Sequence, residues 1–281
     1  MIEDALRYQT QGDDWVKRTL IGGGLLTLGL LFSFLILPLA ALLTFNGYML
    51  EVMRRVMDGE KTVPPEWGEL DLAETTIRGL KHAVIVLAFT MVVLFLAGIP
   101  FALFVGVGAA ADAGGLSLLG VLIGGVLYLA GSLVLAAVLP VATGNFVRTG
   151  RIGAGFDFGV LRTLVTNRTM LVAVLYAFVV NILLSVVANV LGFTIVGFLA
   201  VPFVAFVAQS AIFYIWADGF ADAYEAEYGQ RPTAPDGPLK PGVTVGEDGS
   251  DETTGTPGEM MDLSDNSDDR NEGSDDDRRW E

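Results

Sequence analysis

Four stretches of this sequence contain no Asp, Glu, Lys or Arg, and each is long enough to cross a bilayer. They are residues 19–50, 82–111, 113–147 and 169–217, whereas one span needs roughly 20 apolar residues. Each stretch is apolar on every helical face, which leaves no polar face to meet water as a helix of a soluble protein would have. The pattern therefore predicts membrane-spanning helices.

The predicted fold is all-α, a polytopic transmembrane helix bundle of about five hydrophobic helices with a disordered acidic C-terminal tail. The last charge-free stretch is divided at Asn189 and Gly192, because it is long enough for two spans and a turn. Residues 1–19 are expected to form an interfacial N-terminal segment, and residues 20–216 the transmembrane domain. The predicted spans lie near residues 20–43, 83–105, 116–141, 170–191 and 194–216.

The loops between the predicted spans indicate the orientation, because Lys and Arg in short connections mark the cytoplasmic side. The first and third connections are basic, and the other two contain no Lys or Arg. We therefore expect a multi-pass protein of the cell membrane with both basic loops and the C-terminal tail in the cytoplasm. Five spans leave Lys17 and Arg18 outside, against this rule. The alternative is a re-entrant hairpin within residues 19–50, broken near Pro38.

Polar side chains and prolines within the spans are the candidate functional positions, since unsatisfied polar groups are costly in hydrocarbon. Asn181, Ser185 and Asn189 recur every four residues and predict one polar face of the fourth helix. Gln209 of the fifth helix is added to this face. Interhelical hydrogen bonding explains the face more simply than a substrate path does. The candidate helix kinks are Pro38, Pro100, Pro140 and Pro202.

A search for catalytic chemistry finds no complete constellation. The chain has no Cys, which excludes thiolate catalysis, thiolate metal sites and disulfides. His82, the single histidine, is expected at the membrane interface. Four carboxylates of the first cytoplasmic loop lack the spacing of a calcium loop, and these are Glu66, Glu69, Asp71 and Glu74. No catalytic residue, cofactor or metal site is predicted.

The composition changes abruptly after Trp216. Residues 217–281 hold 19 acidic and 5 basic side chains, so they carry −14 of the net charge of −15. Residues 217–241 are predicted to extend the last helix and to continue as a Pro-rich stalk. Residues 242–281 have too few apolar side chains to fold and predict a disordered acidic tail. Such a tail suits a basic protein partner, and it repels nucleic acid.

Short motifs follow one another along roughly residues 1–230. They are Asp13-Asp14-Trp15-Val16-Lys17, Ile21-Gly22-Gly23, Ile36-Leu37-Pro38, Gly47-Tyr48, Arg54-Arg55, Pro65 through Gly68, Gly79-Leu80-Lys81 and Phe156-Asp157-Phe158-Gly159. In this order they resemble the archaeal integral-membrane family catalogued as domain of unknown function 4013. The resemblance implies a multi-pass membrane protein without an established activity. The excess of Arg over Lys, 13 to 4, and the Asp-rich tail also resemble a protein of a halophilic archaeon.

Three hypotheses for the function stay open. The first is a non-enzymatic membrane component whose cytoplasmic loops and acidic tail bind a protein partner. The alternative is a small-solute transporter or channel built on a loose two-fold repeat of the spans and basic loops, although no charged residue lies inside a span. The third is a lipid-modifying enzyme that uses the loop carboxylates or His82. The spacing Gly120-x-x-x-Gly124 fits a close helix crossing and is compatible with a homo-oligomer.

Overall fold

The computed structural model describes residues 1–32 and 36–232, and in this part of the chain every regular element is a helix. This confirms the predicted all-α fold. The predicted stalk beyond residue 232 and the acidic tail 242–281 lie outside the described residues. The helices are α1 (Ile2–Tyr8), α2 (Trp15–Leu31), α3 (Ile36–Met57), α4 (Leu72–Ala110), α5 (Gly114–Thr149), α6 (Phe158–Val165), α7 (Arg168–Gly192) and α8 (Ile195–Tyr228), with a 3-10 turn at Ile152–Phe156 before α6.

Four helices of the described part, α4, α5, α7 and α8, are long and apolar enough to cross a bilayer. They contain the second to fifth predicted spans. Large apolar side chains cover their outer surface, and Leu133 on α5 is 72% exposed. Since water would not tolerate so large an apolar surface, lipid must cover it. The protein is a membrane protein.

The first predicted span, residues 20–43, is not one helix. α2 ends at Leu31 and α3 begins at Ile36, and they run side by side, because a Cβ on Gly29 would overlap the Leu42 side chain. The 17 residues of α2 reach about 25 Å and the uncharged part of α3 about 22 Å, less than the roughly 30 Å of hydrocarbon. The structure thus has a helical hairpin, as in the alternative prediction, with its break before Pro38.

The hairpin of α2 and α3 packs against α8. Two glycines of α2 make this contact close, because the rings of Phe206 and Phe203 on α8 occupy the space that a Cβ on Gly22 or Gly23 would need. This packing stabilises the two short helices in place of one span.

Two glycines allow α3 and α4 to cross closely. A Cβ on Gly47 of α3 would overlap the carbonyl oxygen of Thr75, and a Cβ on Gly79 of α4 would overlap that of Leu43. Each helix therefore places a glycine against the backbone of the other.

The predicted glycine crossing at Gly120 and Gly124 lies within the chain. A Cβ on Gly120 would lie 2.7 Å from the Cβ of Phe104, and one on Gly124 equally close to the Cβ of Phe101. These glycines therefore serve the α4–α5 hairpin, and their spacing gives no support to a homo-oligomer.

The two ends of the helices differ. Short turns at residues 111–113 and 193–194 form one end, which we call the turn end. At the other end, the loop end, the loops 58–71 and 150–167 meet the start of α4 and the end of α8. Asn167, for example, donates a hydrogen bond to Glu227 at 2.9 Å. The N-terminal segment lies at the loop end too, because Tyr8 packs against Tyr214 with ring centroids 5.2 Å apart.

Candidate functional site

The most polar part of the described structure is the loop end, where the N-terminal segment, loop 58–71 and α8 meet. The Tyr8 hydroxyl donates to the Val63 carbonyl at 3.2 Å, and Lys61 forms an ion pair with Asp218 on α8. Burial raises the pKa of Tyr8, so this hydroxyl stays protonated as a donor. These contacts fix the loop to the helix bundle.

Arg18 anchors the loop from the N-terminal side. Its side chain is only 1% exposed, and it donates to the backbone carbonyls of Gln9 at 3.2 Å and Gln11 at 3.1 Å. It also forms an ion pair with Glu66 at 2.7 Å. Because the partners neutralise and hydrogen-bond the guanidinium, its burial is tolerated. The structure therefore does not have the five-span topology, which places Arg18 and the first loop on opposite sides of the membrane.

Aromatic packing seals the same region. The rings of Tyr48 and Trp67 stack with centroids 4.3 Å apart, and the Trp67 indole donates to the Arg18 carbonyl at 3.1 Å. The Tyr48 hydroxyl lies 3.0 Å from the Pro65 carbonyl, to which it donates. The predicted motif around Pro65 to Gly68 thus serves to hold the loop on α3.

Glu51 on α3 is the centre of an ion-pair network. Its side chain is 6% exposed and accepts two hydrogen bonds from Arg54, from Nε at 2.9 Å and from Nη2 at 2.5 Å. Arg78 of α4 donates to it at 3.2 Å, and Arg55 Nε lies 3.5 Å away. One carboxylate therefore holds three guanidinium groups and joins α3 to α4. The hydrogen bond to Glu51 raises the pKa of Arg54.

Each of the four loop carboxylates, the candidate ligands for a cation, has a separate partner. Asp71 is the N-cap of α4 and accepts from the backbone of Ala73 and Glu74. The other three form ion pairs, Glu66 with Arg18, Glu69 with Arg55 and Glu74 with Arg78. No group of three His, Cys, Asp or Glu side chains in the described residues is arranged to hold a metal ion.

The ion pair of Glu69 and Arg55 depends on pH. A hydrogen bond from Arg55 at 2.8 Å lowers the pKa of Glu69, with burial acting in the opposite direction. A carboxyl group whose pKa is lower in the folded state stabilises that state above its unfolded pKa, and the contribution is lost as the pH falls through the folded value. The pair therefore supports the loop end at neutral pH and not in acid.

His82, which is expected at the membrane interface, is buried where α3, α4 and α5 meet. Its Nδ1 lies 2.7 Å from Asn46 Oδ1 and its Nε2 lies 2.9 Å from the Thr143 hydroxyl. The Thr143 hydroxyl also donates a hydrogen bond to the Leu139 carbonyl at 2.7 Å. The hydrogen bonds of His82 thus join three helices. His82 lines neither of the two cavities described below for residues 1–32 and 36–232.

The predicted polar face of α7 lies on the outside of the molecule. Asn181, Ser185 and Asn189 are all exposed. Ser185 donates to the Asn181 carbonyl at 2.9 Å and Asn189 to the Ser185 carbonyl at 2.7 Å. These bonds lie within α7, so the expected interhelical hydrogen bonds of this face are not observed in the described structure. Gln209 is half-buried on α8 and makes no hydrogen bond to the face.

Replacing Asn181 and Asn189 together by Leu is therefore expected to change the free energy of unfolding by no more than about 0.5 kcal/mol. The reason is that neither side chain bonds to another helix. Reversible unfolding of the detergent-solubilised chain, followed by far-UV circular dichroism, measures this. A loss of several kcal/mol would mean that the face packs against another helix, whether in this chain or in a second copy.

Three of the four predicted kink positions lie inside continuous helices. They are Pro100 in α4, Pro140 in α5 and Pro202 in α8. Pro38 lies in the first turn of α3, where the missing N–H removes no intrahelical hydrogen bond. Pro140 is buried, three residues before Thr143 on α5.

Two residues central to the loop end, Glu51 and Arg18, were not among the sequence candidates. The signal for Glu51 was its spacing of three and four residues from Arg54 and Arg55, which places all three on one helical face. Arg18 could not be recognised, because its partner Glu66 belongs to a loop 48 residues away.

Comparison with known proteins gives a family but no activity. A family model described as "Protein of unknown function (DUF4013)" matches residues 30–193, more than half of the chain. No curated protein matches this sequence, and no solved structure matches it.

Proposed function

This chain belongs to the DUF4013 family of proteins of unknown function, and from that premise we propose that it is a non-catalytic membrane component. In this proposal the loop end and the acidic tail together bind a protein partner. The observation that carries it is the network around Glu51, in which the buried charges pair with one another. A site for chemistry would instead direct such groups toward a space for substrate.

The ion pairs of the first loop also support a binding role, because they make the loop end rigid. Loop 58–71 is held by Arg18 from one side, by Arg55 of α3 from a second, and from a third by Asp218 of α8, the partner of Lys61. A preorganised surface loses less conformational entropy when a partner binds. The loop still presents exposed charges and apolar groups, including Glu60 at 57% and Val63 at 56% exposure.

The transporter alternative gains less support from the described residues. A transport path needs polar groups that face a shared cavity near the middle of the membrane. Asn181, Ser185 and Asn189 face outward instead, and two cavities in the described part of the chain, of about 710 and 380 Å³, have apolar walls apart from a few residues at their margins.

We place the loop end in the cytoplasm, because it carries the two basic loops and the connections at the turn end contain no Lys or Arg. The N-terminal hairpin removes the conflict over Lys17 and Arg18, since it returns the chain to the side from which it started. The N-terminal segment and the end of α8 then lie on the same side of the membrane.

Single cysteines introduced into this cysteine-free chain test the sidedness. Thr10→Cys and Glu60→Cys at the loop end are expected to react with a membrane-impermeant maleimide only after the cells are opened. Phe193→Cys at the turn end, where the native side chain is 89% exposed, is expected to react in intact cells. Labelling of Thr10→Cys from outside would refute the shared side of the N-terminal segment and the first loop.

Photo-crosslinking in the native host tests the binding role. A benzoylphenylalanine in place of Glu60 in the loop, or of Asp262 in the tail, is expected to give an adduct with the same basic protein. The adduct is expected to weaken when the tail carboxylates are changed to amides, because the attraction is electrostatic. The same probe at Phe193 is the control and is expected to give no such adduct. Absence of an adduct from both cytoplasmic positions would reject the proposed function.

A further inference from the structure

A cavity of about 710 Å³ opens on the outer surface of the described helices between α4, α5 and α6. Its long walls are apolar side chains of α4 from Phe89 to Leu96 and of α5 from Leu127 to Val138. The α5 wall is roughly 16 Å long at a rise of about 1.5 Å per residue. We call this feature the α6 groove. Its length and its apolar walls suit an extended hydrocarbon chain.

Small residues make room for the groove. Ala130 and Gly131 stand in the α5 wall where larger side chains would fill it. A Cβ on Gly131 would lie 2.8 Å from Val93 Cγ1, so the two helices come close at this point. Outside the groove, neighbouring side chains such as Leu129 are more than half exposed, which places the groove on the surface that lipid covers.

α6 closes the loop end of the groove as an amphipathic helix. Asp157 caps it by accepting from the backbone of Gly159 at 3.0 Å and Val160 at 3.2 Å. Leu161 and Leu164 are buried against the helix core. Phe158, Arg162 and Val165 follow at spacings of four and three on another face, and they line the groove. The helix has the composition of one that lies in the headgroup plane.

Arg162 is the only charged residue that lines the groove in the described structure. Its side chain is exposed and has no ion pair or hydrogen bond among the described residues. A long arginine side chain at the edge of the hydrocarbon layer reaches the headgroup region, where a guanidinium matches the geometry of a phosphate with two parallel hydrogen bonds. The groove therefore combines a place for an apolar chain with a place for a phosphate at one end.

We propose that the α6 groove binds one anionic phospholipid, with an apolar chain against α4 and α5 and the headgroup phosphate on Arg162. The groove faces the lipid, whereas the contacts argued for the protein partner are those of loop 58–71 and the acidic tail. The occupant is a lipid, because the groove lies on the lipid-covered surface, and it is anionic, because its end carries a guanidinium without an ion pair among residues 1–32 and 36–232.

Native mass spectrometry of the full chain tests the lipid site. The protein is extracted from vesicles of equal parts phosphatidylglycerol and phosphatidylcholine, and the lipids retained on it are counted. The wild type is expected to retain one phosphatidylglycerol in preference to phosphatidylcholine. Arg162→Gln is expected to lower this preference about tenfold, the effect of losing one charge-assisted interaction. Arg168→Gln, an exposed arginine outside the groove lining, is the matched control and is expected to keep it.

A second variant tests the groove itself. Val134→Trp places a ring in the α5 wall at a residue that is 63% exposed, and it is expected to abolish the retained lipid without unfolding the chain. Circular dichroism of each variant checks folding, and Arg162→Lys, which keeps the charge, is expected to recover part of the preference. The proposal is overturned if wild type and Arg162→Gln retain both lipids equally, or if Arg162→Gln and Arg168→Gln lose the preference to the same extent. It is also overturned if the mass spectrum shows that the wild type is a dimer, that Val134→Trp converts it to a monomer, and that the retained lipid stays.

Discussion

Gly79→Ala is expected to lower the free energy of unfolding by about 3 kcal/mol, the upper part of the range for overpacking a tight contact. The added methyl group would overlap the carbonyl oxygen of Leu43 on α3. Because the obstacle is backbone, no change of rotamer can relieve the overlap, and α3 and α4 must separate. Separation would also stretch the hydrogen bond between the Thr44 and Thr76 hydroxyls, which is 2.6 Å long.

Gly98→Ala in the same helix is the matched control. A Cβ on Gly98 meets nothing within 4 Å, so alanine there is expected to be neutral or to stabilise α4 by up to about 1 kcal/mol through its higher helix propensity. Unfolding in SDS, followed by circular dichroism of the detergent-solubilised protein, measures both. Equal stabilities of the two variants would show that the α3–α4 crossing is looser than described.

Glu51→Gln is expected to destabilise the protein by about 3 kcal/mol, since removing one partner from a buried ion pair leaves the others uncompensated. The substitution keeps the size of the side chain but removes its charge. Arg54, Arg55 and Arg78 would lose the carboxylate that they share, and two of these guanidiniums are less than a quarter exposed. The same unfolding measurement reports the loss.

Glu3→Gln provides the comparison for the Glu51 variant. Glu3 also pairs with an arginine, Arg7, at 2.9 Å, but both side chains are more than 70% exposed. Solvent screens such a pair, so the change is expected to be close to zero. If the two variants were equally stable, the network would not hold the loop end together, and its role in binding a partner would lose its basis.

The long helices could be predicted because a bilayer imposes a simple rule on the sequence. Stretches without charge located α4, α5, α7 and α8, although the helices extend beyond the predicted spans by up to 12 residues at one end, as from 216 to Tyr228 in α8. The prediction of a single span for the first stretch was wrong, because the length of that stretch fits either one kinked span or two short helices. Only the packing of Gly22 and Gly23 against α8 distinguishes the two, and that contact is distant in sequence.

The candidate site was harder to predict, because a sequence pattern gives the position of a polar residue on its own helix but not the neighbours of that helix. Asn181 and Asn189 share a helical face, as predicted, but the spacing does not say whether that face points inward or outward. The ion pairs of the loop end combine residues of α2, α3, the first loop and α4. Neither pattern nor composition indicates which charges of distant segments come together.

The contact of α2 with α8 sets an order for biosynthesis. The contacts of α2 and Tyr8 with α8 cannot form until Phe203, Phe206 and Tyr214 have been synthesised. These residues follow roughly 200 residues later, a delay of about 10 to 40 s at the speed of the ribosome. During that interval the hairpin of α2 and α3 has neither the length to span the bilayer nor its packing partner. Among the described helices, α8 leaves the ribosome last and is the one that completes the packing of the first hairpin, so a chain truncated before α8 is expected to be recognised as incomplete by membrane quality control.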